Sequence, residues 1–388
     1  MSQLKRELCR RVEAQGKELW AACRRIHGEP ELGFQEFKAS ALLQELLSEG
    51  GFRVKVGLKG LDTAFQAEFS GDGPSVALIA EYDALPGLGH ACGHNIIGLA
   101  SVGAARALAA LGSHWQGRLL VLGTPAEEGG GGKVILAQRG AFRGIDAAMM
   151  VHPSNETRCL VSFLAMRELR FSFRGRAAHA AAAPHRGLNA LDAVILTFNN
   201  INALRQQVRS DVRIHGVITQ GGRAPNIIPE EAAAWFYVRA ADDGYLRELE
   251  QRVIACARGA ARATGTRLRI KRGERPMASM KPNRSLAELF RKNLLRLGIK
   301  EQPTRGPGEI GSSDIGNVSQ LVPTIHPNLA LVPPEVAGHT REFERAAASL
   351  RGRRCLLTAA KALAMTAADL FLDGRAMRAV CSEFKERA

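Results

Sequence analysis

Residues 75–83 read Ser75-Val76-Ala77-Leu78-Ile79-Ala80-Glu81-Tyr82-Asp83. A short, uncharged, mostly aliphatic run closes here on two acids. Such a run predicts a strand buried on both faces, as in a parallel sheet. Arg118–Gly123 (RLLVLG) repeats the pattern and ends in Thr124–Gly132 (TPAEEGGGG), before a helical Lys133–Gln138. Asp146–Val151 (DAAMMV) repeats it again and ends in His152-Pro153. A long apolar helix from Ile96 separates the first run from the second. Strands alternating with helices predict an α/β domain, its mostly parallel sheet sandwiched by helices. Polar residues just past the strand ends of such a sheet converge on a ligand crevice.

Upstream, residues 1–26 have helical spacing, and Leu42–Leu47 belongs to a further helix. Downstream the pattern changes near residue 166. Glu168–Phe173 alternates as a strand, Leu188–Val208 is helical, Val212–Thr219 and Ala232–Arg239 alternate, Tyr245–Thr264 is helical, and Thr266–Lys271 alternates again. That is the strand order of the ferredoxin-like split βαβ unit. The expected organisation is a first domain from residues 1–165 and 284–388, with an inserted α+β domain at 166–283. Ser285–Leu297 returns the chain to the first domain as a helix.

Composition sets bounds. The chain has 388 residues, 46% hydrophobic and 23% charged, ordinary for a globular protein with a sizeable core. Lys and Arg outnumber acids 53 to 38, a formal charge of +15. The cations are dispersed, however, and aromatics make up only 5%, so no nucleic-acid partner is expected. The N-terminus is charged and amphipathic, without the apolar run of a signal peptide. The best apolar stretch, Ile96–Leu111, contains Arg106 and reads as a buried helix, so no membrane span is expected. Seven cysteines without a CxxC pair fit a reducing compartment. The expected location is cytoplasmic.

The chemistry-bearing residues sit in the loops after the strands. His90-Ala91-Cys92-Gly93-His94-Asn95 places two imidazoles and a thiol in one turn, a donor set suited to zinc and similar ions. The plain alternative is a Gly-rich turn with a structural thiol. Glu127-Glu128 precedes four glycines. Adjacent buried carboxylates are costly unless paired; an ion would resolve this for one and leave the other to move a proton. An exposed acidic turn is the alternative. His152 adds a nitrogen at the next strand end, while spacing alone cannot place His339 in Ala337-Gly338-His339-Thr340-Arg341. A nucleophilic Cys–His pair at Cys92 competes with the metal reading, but it leaves Glu127, Glu128 and His152 without a role. Neither a GxSxG elbow nor a Walker-type loop occurs.

Taken together, these stretches resemble the peptidase M20 family of aminoacylases and amidohydrolases of indole-acetyl amino acids. The match runs in order through His27-Gly-Glu-Pro-Glu-Leu, Glu81-Tyr-Asp-Ala-Leu-Pro, Gly89-His-Ala-Cys-Gly-His-Asn and Pro125-Ala-Glu-Glu-Gly. Gly175-Arg-Ala-Ala-His-Ala, Arg213-Ile-His-Gly-Val-Ile, Pro225-Asn-Ile-Ile-Pro and Ser313-Asp-Ile-Gly-Asn resemble its Xaa-Arg (β-alanyl-lysine) dipeptidase branch. Aminobenzoyl-glutamate hydrolases are near relatives of that branch.

The resemblance implies a di-metal exopeptidase-like fold and two divalent ions, zinc or manganese, per chain. Cys92, His94, Glu128, His152 and His339 are the implied ligands, with Cys92 bridging. Glu127 is the implied general base, and Asp83 orients a ligand. Glu81 stands where other branches carry a metal-binding His and is not counted as a ligand. The inserted domain is the implied lid and homodimer contact. His179 would stabilise the oxyanion, and Asn226 and Arg239 would hold a free carboxylate. The implied substrate is a dipeptide, aminoacyl on a basic residue, or an N-acyl amino acid. Glu309 or Asp314 would face the basic side chain. An inactive scaffold of the same fold is the reading from another class.

Overall fold

The computed structural model describes residues 2–302 and 311–386. The chain divides into two compact units. The first runs to Ser162 and resumes at Met280; the second spans Phe163–Ser279 and takes in a short later segment ending at Gly316.

The first unit opens with helices α1 (Gln3–Ala14), α2 (Gly16–Gly28) and α3 (Phe37–Glu49). Strands β1 (Arg53–Val56), β2 (Phe65–Phe69) and β3 (Ser75–Ala80) follow, then α4 (His94–Ala109), β4 (Arg118–Gly123), α5 (Gly132–Gln138), β5 (Ala147–Met149) and β6 (His152–Ser154). The aliphatic runs behave as their composition demands. Every residue of β3 is buried, and Val76, Leu78 and Ile79 are fully so. Each such side chain contributes about 1.5–3 kcal/mol by leaving water. β3 lies between β4 and β5 with parallel register to both, as continuous hydrophobic strands should. The third strand is shorter than Asp146–Val151, because the chain leaves the sheet after Met149 and His152 starts a separate two-stranded ladder.

In the second unit, β7 (Ala165–Arg174), α6 (Ala190–Leu204), β8 (Arg213–Gln220), β9 (Glu231–Ala240), α7 (Asp243–Thr264) and β10 (Arg267–Arg272) follow the split βαβ order. They form a four-stranded antiparallel sheet ordered β10-β7-β9-β8. Asn189 and Asp242 cap the two helices by accepting from backbone N–H groups in their first turns. Alternate residues Leu169, Phe171 and Phe173 of β7 and Ala234, Phe236 and Val238 of β9 are buried in this unit's own core.

Helix α8 (Arg284–Arg296) begins the return, followed by α9 (Ile315–Ser319), β11 (Thr324–Ile325), β12 (Asn328–Ala330), α10 (Arg341–Ala347), α11 (Leu350–Leu372) and α12 (Gly374–Glu386). The six-stranded sheet of the first unit is ordered β1-β2-β4-β3-β5-β11, antiparallel at the β1-β2-β4 end and parallel through the rest. β12 pairs with β6 in parallel, so Asn328 lies opposite His152. Among the described residues, the helix long and apolar enough to cross a membrane is α11, not the stretch at Ile96–Leu111, and 78% of its most apolar window is buried inside the protein. It packs on α4 within the main core.

Candidate metal centre

The ends of β3, β4 and β5 bring the loops together as the crevice argument requires. Glu81, Tyr82 and Asp83 continue from β3 and are buried. Helix α4 approaches so closely that a Cβ at Gly98 would lie 2.9 Å from the Glu81 carbonyl oxygen. Its first residue, His94, is thereby set beside the acids. Gly93, with φ +79°, makes the bend between Cys92 and His94; a Cβ there would also meet the Pro153 ring at 2.9 Å.

His94 Nδ1 donates to Asp83 Oδ1 over 2.9 Å, both groups being buried. That bond fixes the tautomer and leaves Nε2 as the free donor atom. Asp83 Oδ2 accepts from the Glu128 backbone N–H at 2.9 Å, so one carboxylate ties two loops. Glu127 and Glu128 follow Ala126, which has φ +57°. The left-handed residue is retained because Glu36 Oε1 accepts from its N–H at 2.8 Å and the Gly-rich turn packs against it. His339 also has φ +61°; its N–H donates to Ala91 O, and Thr340 beside it caps α10 by accepting from Phe343 N. This long-range bond joins a distant loop to Cys92.

Among the described residues, three overlapping sets of donor atoms result, each within 4.8 Å: Cys92, His94 and His152; Cys92, Glu128 and His339; and His94, Glu127 and Glu128. Cys92 Sγ lies 3.4 Å from His152 Nε2, and Glu128 Oε1 lies 3.4 Å from His339 Nε2 and 3.9 Å from His94 Nε2. His94 Nε2 and Glu128 Oε1 are buried without a hydrogen-bond partner. Orphaned buried polar atoms aimed at one another, backed by a thiol and imidazoles, fit a divalent ion. Electrostatics agree. Burial alone would raise the Cys92 thiol, but His152, His339 and His94 bring it down to about 6. The proximity of Cys92 and Glu128 holds His339 up at about 10.

The neighbourhood also holds groups to which the sequence reading gave no role. Lys133 of α5 is fully buried, with Nζ 2.6 Å from Glu81 Oε1. Glu81 Oε2 lies 3.6 Å from His94 Nε2. His326 stacks on His152 at 5.1 Å between ring centroids, and burial pushes its pKa down to about 3. The local signal was weak: Lys133 read as the polar start of a short helix, and His326 had no motif around it.

His179, Asn226 and Arg239 belong to the second unit. His179 is exposed and bridges to Ile227, while Ala180 N donates to Asn226 O, so His179 and Asn226 share one corner. His179 Nδ1 accepts from Ala181 and Ala182 N–H, which places its proton on Nε2. Arg239 lies on β9 opposite Met166 and Arg213, half-buried, its Nε without a hydrogen-bond partner. Asp314 is fully buried, whereas Glu309 lies outside the described residues.

Comparison with known proteins gives a consistent result. The profile of Peptidase family M20/M25/M40 matches residues 77–366. An Xaa-Arg dipeptidase of Mus musculus is 38% identical, covering 98% of this chain and 92% of its own. Its Homo sapiens counterpart is 37% identical, covering 96% and 90%. A component of the p-aminobenzoyl-glutamate hydrolase of Escherichia coli (strain K12) is 34% identical over 75% of this chain and 64% of its own. Among solved structures, a dinuclear metal binding peptidase from the M20 family of Bacillus subtilis superposes with TM-score 0.71 at 21% identity, covering 92% and 99% of the two chains. At that identity the likeness is one of fold.

Proposed function

Because this chain belongs to peptidase family M20/M25/M40, we propose that it hydrolyses the amide bond of dipeptides whose C-terminal residue is basic. The chain is a metal-dependent amide hydrolase; the substrate class is the inference. One observation carries the site assignment: three donor triads overlap on Cys92, His94 and Glu128, and Glu127 belongs to one of them.

In this reading Cys92, His94, Glu128, His152 and His339 hold two divalent ions, zinc or manganese. Bound there, the ions would supply an activated water and polarise the scissile carbonyl. Glu127 takes the proton of the attacking water on its carboxylate and returns it to the leaving amine. Asp83 keeps His94 in the tautomer that frees Nε2. His179 donates from Nε2 to the developing oxyanion, its Nδ1 being occupied by backbone N–H groups. Arg239 and Asn226 bind the substrate's free carboxylate, Arg through its planar fork. The basic side-chain preference rests on the activity for which the Xaa-Arg dipeptidases are named.

The same reading makes the protein a homodimer through its second unit. Strand β8 is an edge of its sheet and exposes Val217 and Ile218. A cytoplasmic location is supported by seven free cysteines.

The test is metal analysis of the purified protein, paired with amine release from dipeptides, N-acyl amino acids and aminobenzoyl-glutamate under added zinc, manganese or cobalt. About two ions per chain with preferred cleavage of Xaa-Arg or Xaa-Lys supports the reading. Preference for aminobenzoyl-glutamate moves the assignment to the activity named for the Escherichia coli relative. Neither bound metal nor turnover leaves an inactive scaffold.

A further inference from the structure

Two carboxylates flank the same histidine nitrogen. Glu81 Oε2 lies 3.6 Å and Glu128 Oε1 3.9 Å from His94 Nε2. Donor atoms around a tetrahedral ion with bonds of about 2.0–2.2 Å stand roughly 3.4 Å apart. By distance, either acid could share an ion with His94. What separates them is Lys133, whose Nζ lies 2.6 Å from Glu81 Oε1. A fully buried Lys is rare and expensive to desolvate, so its retention at 0% exposure requires an account.

Charge supplies that account. Glu81 and Asp83 are buried carboxylates on either side of His94, and Lys133 supplies a cation to the first of them. We propose that Lys133 is a positioning residue that decides which carboxylate beside His94 serves as ligand: it holds Glu81 as a counter-ion and leaves Glu128 to the ion. This rests on the two-ion reading above and adds to it a determinant of ligand number. Without the ammonium group, Glu81 would have to bind the ion or take a proton. An added oxygen ligand would raise the coordination number and favour manganese over zinc.

The test uses cobalt(II) as a spectroscopic probe in the full-length protein, with zinc and manganese affinities measured by calorimetry. Wild-type protein that fails to bind two cobalt ions refutes the two-ion reading itself. Given that binding, Lys133→Met is expected to weaken the visible d–d bands as coordination rises. Its zinc affinity should fall relative to manganese by about 10–100-fold. The neutral pair Lys133→Met with Glu81→Gln should return the wild-type spectrum and preference. An unchanged spectrum and preference in Lys133→Met overturns the proposal. So does a double variant as altered as the single one, because Lys133 would then act by packing alone. Should Lys133→Met fail to fold, the double variant decides: wild-type bands support the counter-ion role, and their absence overturns it.

Discussion

Asp83 and His94 are joined by a buried 2.9 Å hydrogen bond, and the other oxygen of Asp83 accepts from the backbone of Glu128. One side chain thus orients an imidazole and pins the loop that carries two carboxylates. Asp83→Asn keeps an acceptor for His94 but turns an amide NH2 toward the Glu128 N–H, two donors face to face. Metal affinity is expected to fall about 10–100-fold, read by calorimetry on protein stripped and reloaded. Wild-type affinity in this variant would remove Asp83 from the orienting role.

Cys92 offers a pH-dependent test on the metal-free protein. Burial opposes ionisation, but three imidazoles outweigh it and hold the thiol at about 6. An ordinary thiol titrates at about 8.5. The thiolate is therefore present above about pH 6 and lost below it. Alkylation of Cys92, followed by peptide mass spectrometry, should rise through an inflection at about pH 6 and be suppressed by added zinc. Replacing His152 by Ala should move the inflection upward. An inflection at ordinary thiol pH would show that the imidazoles do not act on this sulfur.

The fold was legible where hydrophobic runs were continuous and bounded. Ser75–Ala80 and Arg118–Gly123 form strands over the residues their composition marks. The second unit's order was legible because its strands alternate and its helices are long. β1 was not, because Arg53–Val56 alternates over only four residues and is largely exposed. In the site, motifs pointed to Cys92, His94, Glu127 and Glu128, which the loops bring together. The fully buried pair of Lys133 and Glu81 was illegible, since a Lys at the start of a helix reads as solvent-facing until its distant partner is known. His339 reaches the cluster through a bond to Ala91 that no local spacing encodes.

Arg239 presents a half-buried guanidinium whose Nε has no hydrogen-bond partner. Burial lowers its pKa, a cost that a bound carboxylate would offset. Losing a charge-assisted bond of about 1.5–3 kcal/mol corresponds to roughly 10–150-fold in affinity. Arg239→Ala is expected to raise KM by that factor for dipeptides with a free C-terminal carboxylate. C-terminally amidated dipeptides should be poor substrates of the wild type and show no further loss in the variant. Equal losses on both substrates would reassign Arg239 to the stability of the sheet.

Glu127 is the sharpest test of the chemistry. It belongs to the triad with His94 and Glu128, but not to the sets that contain Cys92. With Cys92, His94, Glu128, His152 and His339 taken as ligands, Glu127 is the carboxylate left in the cluster to accept a proton. Glu127→Gln preserves size and removes the proton acceptor. The variant should bind two ions with near wild-type affinity and lose about 10²–10⁴-fold in kcat, the typical worth of general acid–base catalysis. KM should change little, because the base acts in the transition state and not in binding. The pH profile then discriminates between roles: the acidic limb of kcat/KM in the wild type should vanish in the residual activity of the variant. A variant that loses metal in step with activity would make Glu127 a ligand, and one that keeps full turnover would require another base.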